Sequence, residues 1–220
     1  TRYIGVTGVQ TCALPILGFV LLVCFLCCLR LENAVLLKDA RAQAQSKPPR
    51  VLVHTELGEI LIELDAKHAP RTVANFLRYV EAAHYDGGVF HRTVKRKPDN
   101  QPNNAVKIEV IQGSVNPEKS KQGFAPIELE RTSVTGLKHK DGTISLARSG
   151  PDTATSDFFI CLGDQPELDF GGKRNPDGQG FAAFGRVIKG LEVVRKIQQA
   201  PAQEQRLTPP IKILNVKQIP

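Results

Sequence analysis

Three short runs hold the residues whose types and spacing could do chemistry: Phe90-His91-Arg92, Ile111-Gln112-Gly113 and Ser156-Asp157-Phe158-Phe159-Ile160. Each sits in a strand-like segment, so together they offer one guanidinium, one neutral amide and several apolar side chains. Such a set suits a site that grips an apolar ring while hydrogen-bonding an uncharged amide. It includes no activated nucleophile, because Ser145, Ser149 and Ser156 lack the glycine context of a nucleophile elbow.

The elements that must position these runs are mostly short strands. Residues 51–55 and 59–64 flank Glu56-Leu57-Gly58, which reads as a hairpin. A helix opens around His68-Ala69-Pro70-Arg71-Thr72, with Pro70 suited to its first turn and Val73, Phe76, Leu77 and Val80 on one face. Strands are expected at residues 89–94, 106–111, 142–147, 156–162, 181–188 and 211–219, and a second helix at 191–199 with Leu191, Val194 and Ile197 inward. Many strands, two helices and no βαβ alternation predict an antiparallel barrel or sandwich. Residues 95–105 and 170–180, rich in Pro, Asn, Asp and Gly, read as long mobile surface loops.

The chain has 220 residues and a formal charge of +7, with lysines and arginines spread along its length. Its one compact basic run, Lys95-Arg96-Lys97, reads as a solvated loop; a nucleic-acid site would need a longer stripe interleaved with aromatics. Four of the five cysteines lie within the first 28 residues, so Cys161, set among apolar residues, has no disulfide partner in the fold and reads as a small core residue. Residues 1–16 resemble the in-frame translation of a sequencing-library adapter and are set aside. Residues 17–44, apolar up to Leu29, read as a truncated signal peptide with small-residue cleavage sites at 40–44, or as the end of a membrane anchor. Either predicts an exported, periplasmic or otherwise extracytoplasmic domain. Residues 45–50 read as a linker, leaving 51–220 as the folded domain.

Ala69-Pro70-Arg71-Thr72-Val73-Ala74-Asn75-Phe76, Phe90-His91-Arg92, Gly142-Thr143-Ile144-Ser145-Leu146-Ala147 and Phe184-Gly185-Arg186-Val187, in this order, resemble the cyclophilin family of peptidyl-prolyl isomerases. The resemblance spans residues 51–219. It implies a closed eight-stranded antiparallel β-barrel capped by two α-helices, with the site in an outer groove. It also implies cis-trans isomerisation of X–Pro bonds in unfolded or flexible segments, without cofactor or metal. Arg92 falls at the catalytic arginine. Gln112 matches the glutamine that contacts the substrate backbone, and Phe159 the aromatic floor of the proline pocket. Val110 matches a wall usually made by methionine, and Leu168 a leucine on the rim. Ala147-Arg148-Ser149 matches a segment whose backbone pairs with residues before the proline, with Arg148 in place of asparagine. Asp157 replaces a second glutamine, Glu109 aligns with a pocket phenylalanine, Glu167 replaces a tryptophan, and Phe181 replaces a histidine. The partners implied are proline-containing polypeptides met by a monomer.

Plainer roles compete at several of these positions. Arg92 could be a buried structural arginine paired with Asp157 or Glu109. His91, between Phe90 and Arg92, should point opposite to both and serve as a satisfied inter-strand histidine rather than a general base. Residues 175–178 with Asp169 lack EF-hand spacing and read as a polar turn. Phe158 and Phe159 alternate, one filling the barrel and the other the groove. Carboxylates at Glu109, Asp157 and Glu167 favour an alternative in which the same barrel only binds proline peptides, as a chaperone or scaffold.

Overall fold

A computed structural model describes residues 47–220; the expectations for residues 1–16 and 17–44 lie outside the described residues. The strands are β1 (Arg50–Thr55), β2 (Gly58–Leu64), β3 (Val89–Val94), β4 (Val110–Ser114), β5 (Thr143–Leu146), β6 (Phe158–Cys161), β7 (Ala182–Lys189), β8 (Ala202–Gln203) and β9 (Arg206–Ile219). The helices are α1 (Pro70–Glu81), α2 (Thr132–Thr135) and α3 (Leu191–Gln199). All strand pairings are antiparallel, in the order β1-β2-β7-β5-β6-β4-β3-β9, and β1 returns to β9 to close an eight-stranded barrel. Closure leaves no unpaired sheet edge in the ring. β8 is a two-residue strand folded onto the start of β9.

Period-two alternation builds the interior. Val51 and Val53 of β1, and Ile60, Ile62 and Leu64 of β2, point inward and are fully buried. The α1 face made by Val73, Phe76 and Val80 packs against the same core. The α1 N-terminus has no local side-chain cap. Instead the distant Glu130 carboxylate accepts from the Arg71 and Thr72 N–H groups at 3.1 and 2.8 Å, placing negative charge where the helix dipole favours it. At the centre, Phe158 meets Phe76, Tyr85 and Phe90 edge-on at 5.8, 5.6 and 5.7 Å. Position 113 must be glycine here, because a Cβ would stand 2.8 Å from the Phe158 ring.

Three details depart from the sequence expectations. The strand predicted from residue 106 begins at Val110, because side chains take over the backbone partners just before it. Gln101 accepts from Ile108 N–H and donates to Ile108 O, and Arg174 donates to Val106 O. Gln101 is itself fully buried, so residues 95–105 are knitted to the barrel rather than simply solvated. The last strand starts at Arg206 and runs through Pro209 and Pro210. A four-residue α2 and two 3-10 turns, Pro117–Gln122 and Pro166–Leu168, add to the two predicted helices.

Candidate active site

A β-bulge decides where the guanidinium points. Phe90 pairs with Gly113 and Arg92 with Gln112, so His91 is the extra residue on β3. In a regular strand Phe90 and Arg92, two residues apart, would share a face. The bulge leaves Phe90 in the barrel interior and turns Arg92 outward beside Gln112. His91 is therefore not opposite Arg92, as simple alternation predicts: both line the same cavity. Nor is it a satisfied histidine, since its Nδ1 is buried without a hydrogen-bond partner.

Arg92 is held by two neutral amides. Its Nη1 donates to Gln112 Oε1 at 3.0 Å, and its Nε and Nη2 donate to Gln205 Oε1 at 2.9 and 2.6 Å. Among the described residues no carboxylate lies within ion-pair distance of it, so the pairing with Asp157 or Glu109 weighed above is absent. Burial draws its pKa down from the usual guanidinium value, though an arginine remains charged. A guanidinium has five N–H donors, of which the two glutamines take three. Two donors and an uncompensated charge are thus left for a ligand.

Beside Arg92 lies a second apolar cluster on the outer face of the barrel. Val94, Ile108, Val110, Phe159, Cys161 and Leu168 form it, with Ala147 and Phe181 packed against it. Of the adjacent pair on β6, Phe158 fills the interior and Phe159 this outer cluster. The Phe159 ring meets Phe181 edge-on at 5.2 Å and stacks on His139 at 6.0 Å. Burial pushes the Cys161 thiol well above its ordinary range, which makes it unreactive.

His139 is itself fixed: Nδ1 lies 2.7 Å from Asp169 Oδ1, and Nε2 lies 3.0 Å from Ser145 Oγ. Burial pushes the Asp169 carboxyl upward, but hydrogen bonds from the His139 ring and backbone outweigh it and hold the pKa below the usual value. The three have the connectivity of a hydrolytic triad. Ser145 is fully buried and His139 nearly so, out of reach of a substrate carbonyl. The group acts as a rigid platform under Phe159.

The rim residues lie at varied distances from this centre. Asp157 receives a long 3.5 Å bond from Gln112 Nε2, and burial raises its pKa against the opposing pull of His91 and Gln112. The Arg148 side chain is buried against the Phe181 ring, 5.1 Å from its centre, and pairs with both Asp177 oxygens at 2.7 and 2.9 Å. The Ala147 N–H donates to Asp157 O and the Ser149 N–H to Thr153 Oγ1, so a peptide along this segment would use its other backbone groups. The Glu109 carboxylate accepts a long 3.5 Å bond from Gln198 Nε2, and its neighbour Ile108 enters the apolar cluster. Glu167 accepts from the Lys173 N–H, outside the cluster.

Gln205 was missed by the sequence reading. It lies 113 residues from Arg92 in the chain, outside every motif, and only the β8–β9 hairpin brings it in. Its Nε2 donates to Asn100 O, which ties the hairpin to the long loop. The platform under Phe159 was also unforeseen, since His139, Ser145 and Asp169 are not spaced as a motif. Among the described residues no three His, Cys, Asp or Glu side chains group as metal ligands would.

Comparison with known proteins agrees with this geometry. The family model "Cyclophilin type peptidyl-prolyl cis-trans isomerase/CLD" matches residues 50–218. Peptidyl-prolyl cis-trans isomerase cyp18 of Streptomyces antibioticus is 37% identical over 150 residues, covering 67% of this chain and 82% of the relative. Peptidyl-prolyl cis-trans isomerase A of Dickeya dadantii is 35% identical over 163 residues, covering 74% and 77%. A solved cyclophilin-type isomerase of Cryptosporidium parvum shares the fold at a TM-score of 0.62 and 22% identity, covering 79% of this chain and 98% of its own. With a closed barrel, an outer pocket and a match over most of its length, the chain belongs to the cyclophilin-type peptidyl-prolyl cis-trans isomerases.

Proposed function

We propose that Arg92 is the catalytic residue of this isomerase and that the peptide's proline ring rests on Phe159. Rotation about an X–Pro bond breaks amide resonance, with a barrier of about 18–20 kcal/mol. As the bond twists, the proline nitrogen becomes pyramidal and gains a lone pair that a donor can bind. A fixed cation stabilises that twisted amide more than the planar one, and only such differential binding accelerates rotation. The observation that carries this reading is the holding of Arg92 by Gln112 and Gln205. Neutral acceptors orient the fork without cancelling its charge, whereas a carboxylate partner would cancel it.

The other roles follow from position. Val110, Leu168 and Phe181 wall the ring of the bound proline. Gln112 orients Arg92 and meets the substrate backbone, with Asp157 at its far side. Ala147, Arg148 and Ser149 align the residues before the proline through their backbone, while the Arg148 side chain props Phe181. The substrates are X–Pro segments of unfolded or flexible chains. With residues 17–44 read as an export signal or anchor, these are segments of exported proteins, and cell fractionation of the full chain tests that location.

The enzymatic test is NMR exchange on a short X–Pro peptide with substoichiometric full chain, wild type beside Arg92→Ala. Turnover should fall at least about tenfold in the variant, about 1.4 kcal/mol of lost transition-state stabilisation. Equal turnover by both proteins would remove Arg92 from the mechanism. Binding without acceleration in the wild type would favour the scaffold alternative.

A further inference from the structure

Next to Arg92, a cavity of about 930 Å³ opens between residues 98–104 and the β8–β9 hairpin. The strand order β5-β6-β4-β3-β9-β8 puts it on the far side of Arg92 from Ala147. If the residues before the proline follow Ala147 to Ser149, as proposed above, the residues after it must run into this cavity.

Its charges are unbalanced. Arg92, Lys95 and Arg206 line it, and among the described residues none of the three has a carboxylate within ion-pair distance. Of the two acids in its walls, Asp99 is already paired with Lys107 at 2.8 Å, which leaves Glu204 alone. Arg174 adds a fourth cation at the edge. It bonds only neutral acceptors, Gln101 Oε1 at 3.0 Å and Val106 O at 2.6 Å, and Gln101 is a wall residue. Burial lowers the Arg174 pKa, and the nearby charge of Arg92 lowers it further. The unpartnered Nδ1 of His91, another wall residue, is a further polar atom without a protein partner.

We propose that this cavity receives the chain following the proline and selects an acidic side chain, Asp or Glu, within it. The proposal rests on the placement of the X–Pro bond at Arg92. A carboxylate entering there would meet several cations that the fold leaves uncompensated, in a recess where screening is weaker than on open surface. A lysine at the same place would meet repulsion.

The test compares peptides identical except for Glu, Gln or Lys two residues after the proline, with kcat/KM measured by NMR exchange on the full chain. The Glu peptide should be favoured about three- to tenfold over Gln and Lys disfavoured, with the spread collapsing at about 1 M salt. In Lys95→Gln/Arg206→Gln the Glu-to-Gln ratio should fall towards one. The salt series on wild type stands as evidence even if that variant does not fold. Equal turnover of all three peptides, a ratio unmoved by salt, or the same preference with Glu placed before the proline would each overturn the proposal while leaving the isomerase assignment intact. Turnover unaffected by Arg92→Ala would instead bring down the placement on which the proposal rests.

Discussion

Phe158 and Phe159 are neighbours in the chain but belong to two regions with different tasks. Phe158 stands in the barrel interior, with Phe76, Tyr85 and Phe90 edge-on around it. Phe159 faces the outer groove, over the His139 platform and within reach of Phe181. Period-two alternation thus separates stability from function within one strand. The interior is filled by shape and apolar area. In the groove an apolar floor is ringed by polar groups, and the Arg92 guanidinium among them is held by neutral amides, so that its charge stays available.

The separation breaks most visibly on the interior side. Phe158→Ala should cost about 3–5 kcal/mol of stability in a denaturant titration, since it deletes the ring on which three others close. A loss below about 1 kcal/mol would mean the interior repacks freely, and the contrast between the two regions would dissolve.

On the groove side, Gln205→Ala removes two of the three hydrogen bonds that orient Arg92. Turnover should fall about fivefold, ~1 kcal/mol, through kcat rather than KM, with the unfolding midpoint little changed. A parallel loss of stability would make Gln205 a structural tie instead of a positioning residue.

The smallest effect concerns the loop behind Phe181. Arg148 holds the Asp177 carboxyl down at about 2, against an ordinary value of 3.8. A carboxylate depressed on folding contributes stability above its unfolded pKa and loses it as pH falls through the folded one. Wild type should therefore lose this contribution between about pH 4 and pH 2, and Asp177→Asn should show a shallower decline over that window. The pair is partly open to solvent, which keeps the difference small. Identical acid titrations would show that the tie contributes nothing measurable.

Much of the molecule was legible beforehand. Alternation in residues 51–64, the helical face of Val73, Phe76 and Val80, and the ordered family motifs are all local or in register, and they yielded the barrel and its family. What stayed illegible depends on parts of the chain that meet only after folding. Glu109 matches a pocket phenylalanine in the sequence, but nothing local announces that its carboxylate reaches Gln198 or that Ile108 joins the apolar cluster, because the residues just before β4 are held by side chains rather than by strand pairing. Simple alternation misplaced His91 because a bulge is one extra residue that no residue type announces.

By itself, then, the sequence determined most of the strands and the two longer helices, which of their faces are apolar, and that one arginine and one glutamine lie on separate strands. Periodicity and composition act over a few residues, which is why they can be read directly. Only the tertiary structure decided that Arg92 turns outward, that Gln205 from the far end of the chain holds it, and that His139, Ser145 and Asp169 form a sealed support under Phe159. The first depends on a bulge, the second on the pairing of β3 with β9, which sets residues 113 positions apart within hydrogen-bond reach, and the third on loops that meet only in the folded barrel; local pattern encodes none of them.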